Sequence, residues 1–200
     1  MGSQSNSERY YVITGGPGSG KTALIDALAA RGYQRSSEAG RAVIQQQVAI
    51  GGRAVPWRNP LAFAELMLSW EIRSYQMAQQ VPGPVFFDRG VPDVAGYLRL
   101  LNFPVPDHVR KAAQVFNYNR LVFFAPPWPE IYTQDRERRQ DFDEGVRTYE
   151  ALRATYSDVG YEIHELPRAT IEQRVAFVLG ASSPSSSKVQ ESSSFQAPDL

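Results

Sequence analysis

The chain has 200 residues, 42% of them hydrophobic, and sets 21 lysines and arginines against 21 aspartates and glutamates. That suffices for one domain with a real core, and zero net charge makes no electrostatic case for nucleic acid or an anionic membrane as partner. There is no cysteine, which excludes disulfides, thiolate nucleophiles and cysteine-based metal sites.

Residues 1–8 are small and polar and read as a disordered lead-in. No signal peptide opens the chain, and no apolar run approaches the roughly 18 residues of a membrane span, so the expected address is cytoplasmic. Tyr10-Tyr11-Val12-Ile13-Thr14 is a β-branched and aromatic run, suited to a buried strand. Next comes Gly15-Gly16-Pro17-Gly18-Ser19-Gly20-Lys21-Thr22, which matches G-x-x-x-x-G-K-[ST], the phosphate-cradling P-loop. Leu24, Ala27 and Leu28 follow at helical spacing, and Gly32 is the expected stop.

Strand, glycine-rich turn and helix in that order define a nucleotide site. Glycines let the backbone aim several N–H groups at one point, and the helix N-terminus adds positive potential there. All eight residues from Gly15 to Thr22 are expected on the nucleotide. Lys21, expected at the surface, would reach the β- and γ-phosphates, and the Thr22 hydroxyl would bind Mg²⁺.

Tyr33–Ser37 is a short second strand ending at Glu38, and helical character follows through Val48. Gly51-Gly52 and Pro56-Trp57 mark a loop. Pro60–Gln80 is a long amphipathic helix, with Phe63, Met67, Trp70 and Met77 on one face and Leu66 beside them. Val85-Phe86-Phe87-Asp88 is an apolar strand ending in a carboxylate. Two short helices fill Val91–Leu101 and Asp107–Phe116, and Leu121–Ala125 is the fourth strand. A polar, arginine-rich stretch, Tyr132–Asp141, precedes a helix with Phe142, Val146, Tyr149, Leu152 and Tyr156 on one stripe. Tyr161–Leu166 alternates as an edge strand should, and Thr170 with Gln173 forms a capping-box signature ahead of a final helix. From Ala181 the chain turns serine-rich and reads as a disordered tail, which leaves residues 9–180 as one domain. Strands alternating with helices imply a parallel sheet covered on both faces.

Three further features bear on the chemistry. Asp88 ends a strand where a carboxylate would face the metal with Thr22, or would accept a proton from a substrate hydroxyl, or it caps the next helix. Glu38 lies along the same sheet edge, where it would orient an acceptor hydroxyl and take its proton, or it merely serves a helix dipole. Arg136 and Arg139 share a helical face and would close over the phosphates and stabilise transferred charge, Arg136 also contacting the nucleotide. Asp135, Glu137 and Asp141 alongside them allow a self-paired surface helix instead. Arg89 is a further candidate beside Asp88. Trp57 and Trp70 either line an acceptor pocket or belong to the core.

With these residues placed, the chain resembles the single-domain P-loop AAA family ATPases, kinase-like proteins related to nicotinamide-riboside kinase domains. The resemblance covers about Arg9 to Gly180. It rests on GGPGSGKT at 15–22, SEAGR at 37–41, GGRAVPW at 51–57, FFDRG at 86–90, DRERRQDF at 135–142 and YEALRATYSDVGYEIHELP at 149–167. It implies an α/β, three-layer P-loop NTPase fold of the nucleoside/nucleotide-kinase type, with a five-stranded parallel sheet ordered 2-3-1-4-5. By analogy with deoxynucleoside and nucleotide kinases, Glu38 maps near the acceptor-side carboxylate, Asp88-Arg89 to their Asp/Glu-Arg signature, and Arg136 and Arg139 to the lid. Residue 90 is Gly where deoxynucleoside kinases usually carry Ser, so no particular acceptor is implied.

The expected function is therefore ATP- and Mg²⁺-dependent phosphoryl transfer to a small hydroxylated metabolite. Lys21, Glu38, Asp88, Arg136 and Arg139 would act in catalysis, with Glu38, Trp57 and Arg89 around the acceptor. The alternative is a binding switch driven by ATP or GTP that engages a protein or lipid, with the loop at 50–60 and the tail as its working parts. No N-K-x-D motif for reading guanine occurs, which favours adenine.

Overall fold

The structure is a computed structural model that describes residues 6–132 and 141–182. Arg136, Arg138 and Arg139, with most of the serine-rich tail, lie outside the described residues. A 3₁₀ turn, Asn6–Arg9, precedes the first strand, so residues 6–8 of the expected lead-in join the folded chain. The Asn119 side-chain amide donates to the Glu8 carbonyl at 2.6 Å, and Arg9 donates to the Ala78 and Gly83 carbonyls at 3.0 and 2.9 Å.

Among the described residues five strands form one parallel sheet: β1 (Tyr10–Gly15), β2 (Gln34–Arg35), β3 (Val85–Asp88), β4 (Leu121–Ala125) and β5 (Glu162–Glu165), in the spatial order β2-β3-β1-β4-β5. The helices are α1 (Lys21–Ala29), α2 (Ala39–Ala49), α3 (Pro60–Ala78), α4 (Val91–Leu100), α5 (Asp107–Val115), α6 (Phe142–Val159) and α7 (Ile171–Ser182). None is long and apolar enough to cross a membrane.

The three central strands are buried on both faces, which is why they read as unbroken apolar runs rather than alternating ones. Tyr10, Val12, Phe87 and Phe124 point into one core, with Leu68 of α3, Leu98 of α4 and Leu152 of α6. Tyr11, Ile13, Phe86 and Phe123 point into the other, with Leu24 of α1 and Val175 of α7. The expected three layers are present.

Two elements differ from the sequence pattern. The expected second strand shrinks to the exposed pair Gln34–Arg35, because one neighbour, β3, is all it has to bond. On α3 the inward face is Phe63, Ala64, Leu68, Glu71, Tyr75 and Ala78. Met77 and Leu66 are exposed, and Trp70 only borders a small cluster of Val43, Ile44 and Phe63. The stripe is rotated because small alanines allow close packing and one glutamate turns inward.

Candidate active site

The sheet brings the two candidate halves together. In register, Ile13 of β1 lies beside Asp88 of β3, and the Arg89 N–H donates to the Ile13 carbonyl at 3.1 Å. The glycine-rich loop leaves β1 at the same edge. Gly20, at φ 75°, caps α1 from the left-handed region; a Cβ there would sit 2.7 Å from Arg174 Nη1. A Cβ on Gly16 would strike the Gly145 carbonyl, so the first turn of α6 closes directly over the loop.

Lys21 departs from expectation. It is only 7% exposed, and its ammonium donates to the Gly16 carbonyl at 2.6 Å and to Ser19 Oγ at 3.2 Å. Ser19 Oγ also donates to Gly16, at 2.8 Å. The loop wraps the lysine and satisfies its charge with the loop's own oxygens. Thr22, one residue on, is exposed in the first turn of α1. From outside, Arg174 of α7, 1% exposed, donates from Nη2 to the Ser19 carbonyl at 3.3 Å.

Glu38 is the N-cap residue of α2, yet its side chain makes no capping bond. It accepts from Arg89 Nε at 3.3 Å and lies 3.7 Å from Arg41 Nε. Glu38 thus stands at a helix start, as the dipole reading has it, and in an ion pair at the sheet edge. Asp88 does not cap α4 either: its N–H donates to Ser36 Oγ at 3.0 Å, and it is Asp93 that accepts the Gly90 N–H at 2.9 Å.

Arg89 sits at φ 73°, a left-handed conformation that costs a side-chain-bearing residue roughly 1–2 kcal/mol. Its Nη1 donates to Asp93 at 3.1 Å. Burial alone lowers its pKa, but the charges of Asp93, Glu38 and Asp88 outweigh burial and raise it. Asp93 gathers two more donors, Thr14 Oγ1 at 2.5 Å and the Tyr156 hydroxyl at 2.6 Å.

Glu38, Arg89 and Asp93 border a cavity of about 910 Å³. Its lining joins Pro17 of the glycine-rich loop to Glu38, Arg89 and Trp57, and Trp57 stands 59% exposed on it. Trp70 is not part of the lining. Sequence reasoning missed Asp93, Glu71 and Tyr97, which also line it. Only Asp93 carried a signal, as an acid three residues past Gly90 at a helix start. Glu71 is 2% exposed; burial first, then the Asp93 and Asp88 charges, push its carboxyl well above the ordinary range.

Among the described residues no cluster of three or more His, Cys, Asp and Glu side chains could hold a metal by itself. Thr22, in the first turn of α1, and Asp88, at the end of β3, each carry a hard oxygen donor of the kind that Mg²⁺ takes together with phosphate oxygens. The donor chemistry fits that ion.

Strand, glycine-rich turn, lysine and helix, beside a second strand ending in Asp-Arg, define a P-loop domain of the kinase-like type. The chain belongs to the AAA domain family, whose model matches residues 10–174. No curated protein matches it in sequence. Its fold is similar to that of deoxyadenosine kinase from M. mycoides with dCMP and a flexible dCDP bound (TM-score 0.60, 12% identity, 86% of this chain and 97% of that one). The same enzyme with dATP gives TM-score 0.57 at 11% identity, over 86% and 98% of the two chains. NadR in complex with NR gives TM-score 0.63 at 18% identity, over 86% of this chain and 50% of that one.

Proposed function

We propose that this protein is an ATP- and Mg²⁺-dependent phosphotransferase acting on a small hydroxylated molecule. One observation carries the reading: a single cavity runs from Pro17 of the phosphate loop to the Glu38–Arg89 pair. A nucleotide on the loop and an acceptor in the cavity would share a border. Neighbours named as a deoxyadenosine kinase and as NadR with NR support a nucleoside-sized acceptor.

In this reading the loop amides and Lys21 bind the triphosphate, Lys21 exchanging the Gly16 carbonyl for phosphate oxygen. Glu38 takes the proton of the acceptor hydroxyl as that oxygen bonds the γ-phosphorus and the bond to the β-phosphate oxygen breaks. Arg89, clamped by Glu38 and Asp93, holds the general base in place. Mg²⁺, held by Thr22 and Asp88, would neutralise phosphate charge. Arg136 and Arg139 are proposed to close over the phosphates.

The switch reading gains nothing from the loop at 50–59. That loop is pinned by the Gln47 side chain accepting the Ala54 N–H at 3.1 Å and by buried Val55. Incubating the protein with radiolabelled ATP, Mg²⁺ and a panel of nucleosides and sugars tests the proposal. It expects label on at least one acceptor, and Glu38→Gln should slow transfer about 100-fold or more without weakening ATP binding. ATP turnover to ADP and phosphate with no acceptor labelled would contradict it.

A further inference from the structure

Phosphoryl transfer leaves one buried carboxyl in the cavity unused. Glu71 lies on the inward face of α3, where a hydrophobic side chain would ordinarily sit, and among the described residues its Oε2 has no hydrogen-bond partner. The hydroxyl of Tyr97, on α4, is also buried without a partner. Native interiors rarely leave such groups unbonded. Both residues line the same cavity. Around them the walls are apolar and partly aromatic, with Phe63 packed edge-on to Tyr97 at 5.5 Å between ring centres.

The charge of the lining is just as one-sided. Glu38, Asp93 and Glu144 contribute to it, and Arg89 is the only cation among the described residues that does. Arg89 is already committed to Glu38 and Asp93. Among the described lining residues, a phosphate or carboxylate on the acceptor would meet acids and no cation beyond Arg89.

We propose that the cavity takes an uncharged, flat heteroaromatic alcohol with an amide- or amidine-type edge, which docks on the Glu71 carboxyl and the Tyr97 hydroxyl, and that it rejects anionic acceptors. The inference rests on the phosphotransferase reading and names the substrate class of that site. A carboxylic acid kept protonated both donates and accepts, so it matches an edge with one acceptor beside one donor. The burial and acidic neighbours of Glu71 favour that form. A cavity of about 910 Å³ has room for a nucleoside-sized body.

Calorimetric titration of the full chain tests the assignment. Adenosine, inosine and cytidine carry the edge, purine riboside keeps the flat body but lacks the donor, and AMP adds charge. The proposal expects at least one of the first three to bind, and purine riboside and AMP to bind it about tenfold or more weakly by comparison. Glu71→Gln, which keeps a donor and an acceptor, should retain affinity within about threefold. Glu71→Leu should lose about tenfold or more and no longer distinguish adenosine from purine riboside. Binding of none of these nucleosides, equal binding of purine riboside, tighter binding of AMP, or a Gln variant as weak as the Leu variant would each overturn it. A parallel titration with ATP separates the two readings. Intact ATP binding beside any of these failures sinks the substrate class alone, whereas absent ATP binding also sinks the phosphotransferase.

Discussion

Arg174 shows what a single residue can do behind a phosphate loop. Among the described residues its guanidinium has one bond, to the Ser19 carbonyl, and Nε and Nη1 have none. Burial lowers its pKa. In a trans peptide the C=O and the next N–H point opposite ways, so drawing the Ser19 carbonyl toward α7 turns the Gly20 N–H the other way. The cost is a buried cation without a carboxylate. Replacing such a group by an apolar one of similar size is often neutral or stabilising. Arg174→Met should therefore melt at the same or a higher temperature yet bind ATP about tenfold more weakly, as suits loss of a charge-assisted bond. Thermal melts with paired calorimetry decide it; unchanged ATP affinity would mean the residue only fills space. The glycine-rich loop was legible from its fixed spacing, and Glu38 and Asp88, with Arg89 beside it, were candidates because they end predicted strands. Arg174 was not, since one arginine near the start of an amphipathic helix reads as a solvated charge.

At the scale of elements, Asp93 fastens α4 to β1 through Thr14, to the β3–α4 turn through Arg89 and the Gly90 N–H, and to α6 through Tyr156. Removing one partner of a buried ion pair costs about 3–5 kcal/mol. Asp93→Ala should lower the melting temperature by about 10 °C, measured by calorimetry or circular dichroism. A drop of a degree or two would show that the cluster is not cooperative.

Glu71 sets a pH dependence. Its folded pKa is raised, so its contribution is fully present below the unfolded carboxylate value and is lost as pH rises toward the folded one. Urea unfolding should show wild-type stability falling, relative to Glu71→Gln, as pH rises above the ordinary carboxylate range. Parallel curves would contradict a raised pKa. Hydrophobic spacing found α3 but misjudged its face, because Met67, Trp70 and Met77 outweigh a stripe built on alanines and one inward glutamate. The Thr170–Gln173 cap was legible and forms, with the Thr170 N–H donating to Gln173 Oε1 at 3.1 Å and the Gln173 N–H to Thr170 Oγ1 at 3.4 Å.

For the whole molecule, a parallel sheet places the C-terminal ends of β1 and β3 side by side, and the candidate chemistry collects at that edge. The three central strands announced themselves as apolar runs. Their spatial order came from the resemblance, because periodicity does not encode which strands are neighbours. The buried acids of the cavity became visible only once α3 and α4 were packed together.

The central claim is that the loop holds a purine triphosphate and that Lys21 is its cation. Titrating wild type and Lys21→Ala with ATP and Mg²⁺ in a calorimeter tests it most directly. The account predicts a one-to-one heat for wild type and an affinity at least about 100-fold weaker for the variant, whose fold survives the loss of roughly 1–2 kcal/mol of loop bonding. Absence of binding in wild type, or equal affinity in the two proteins, would contradict it.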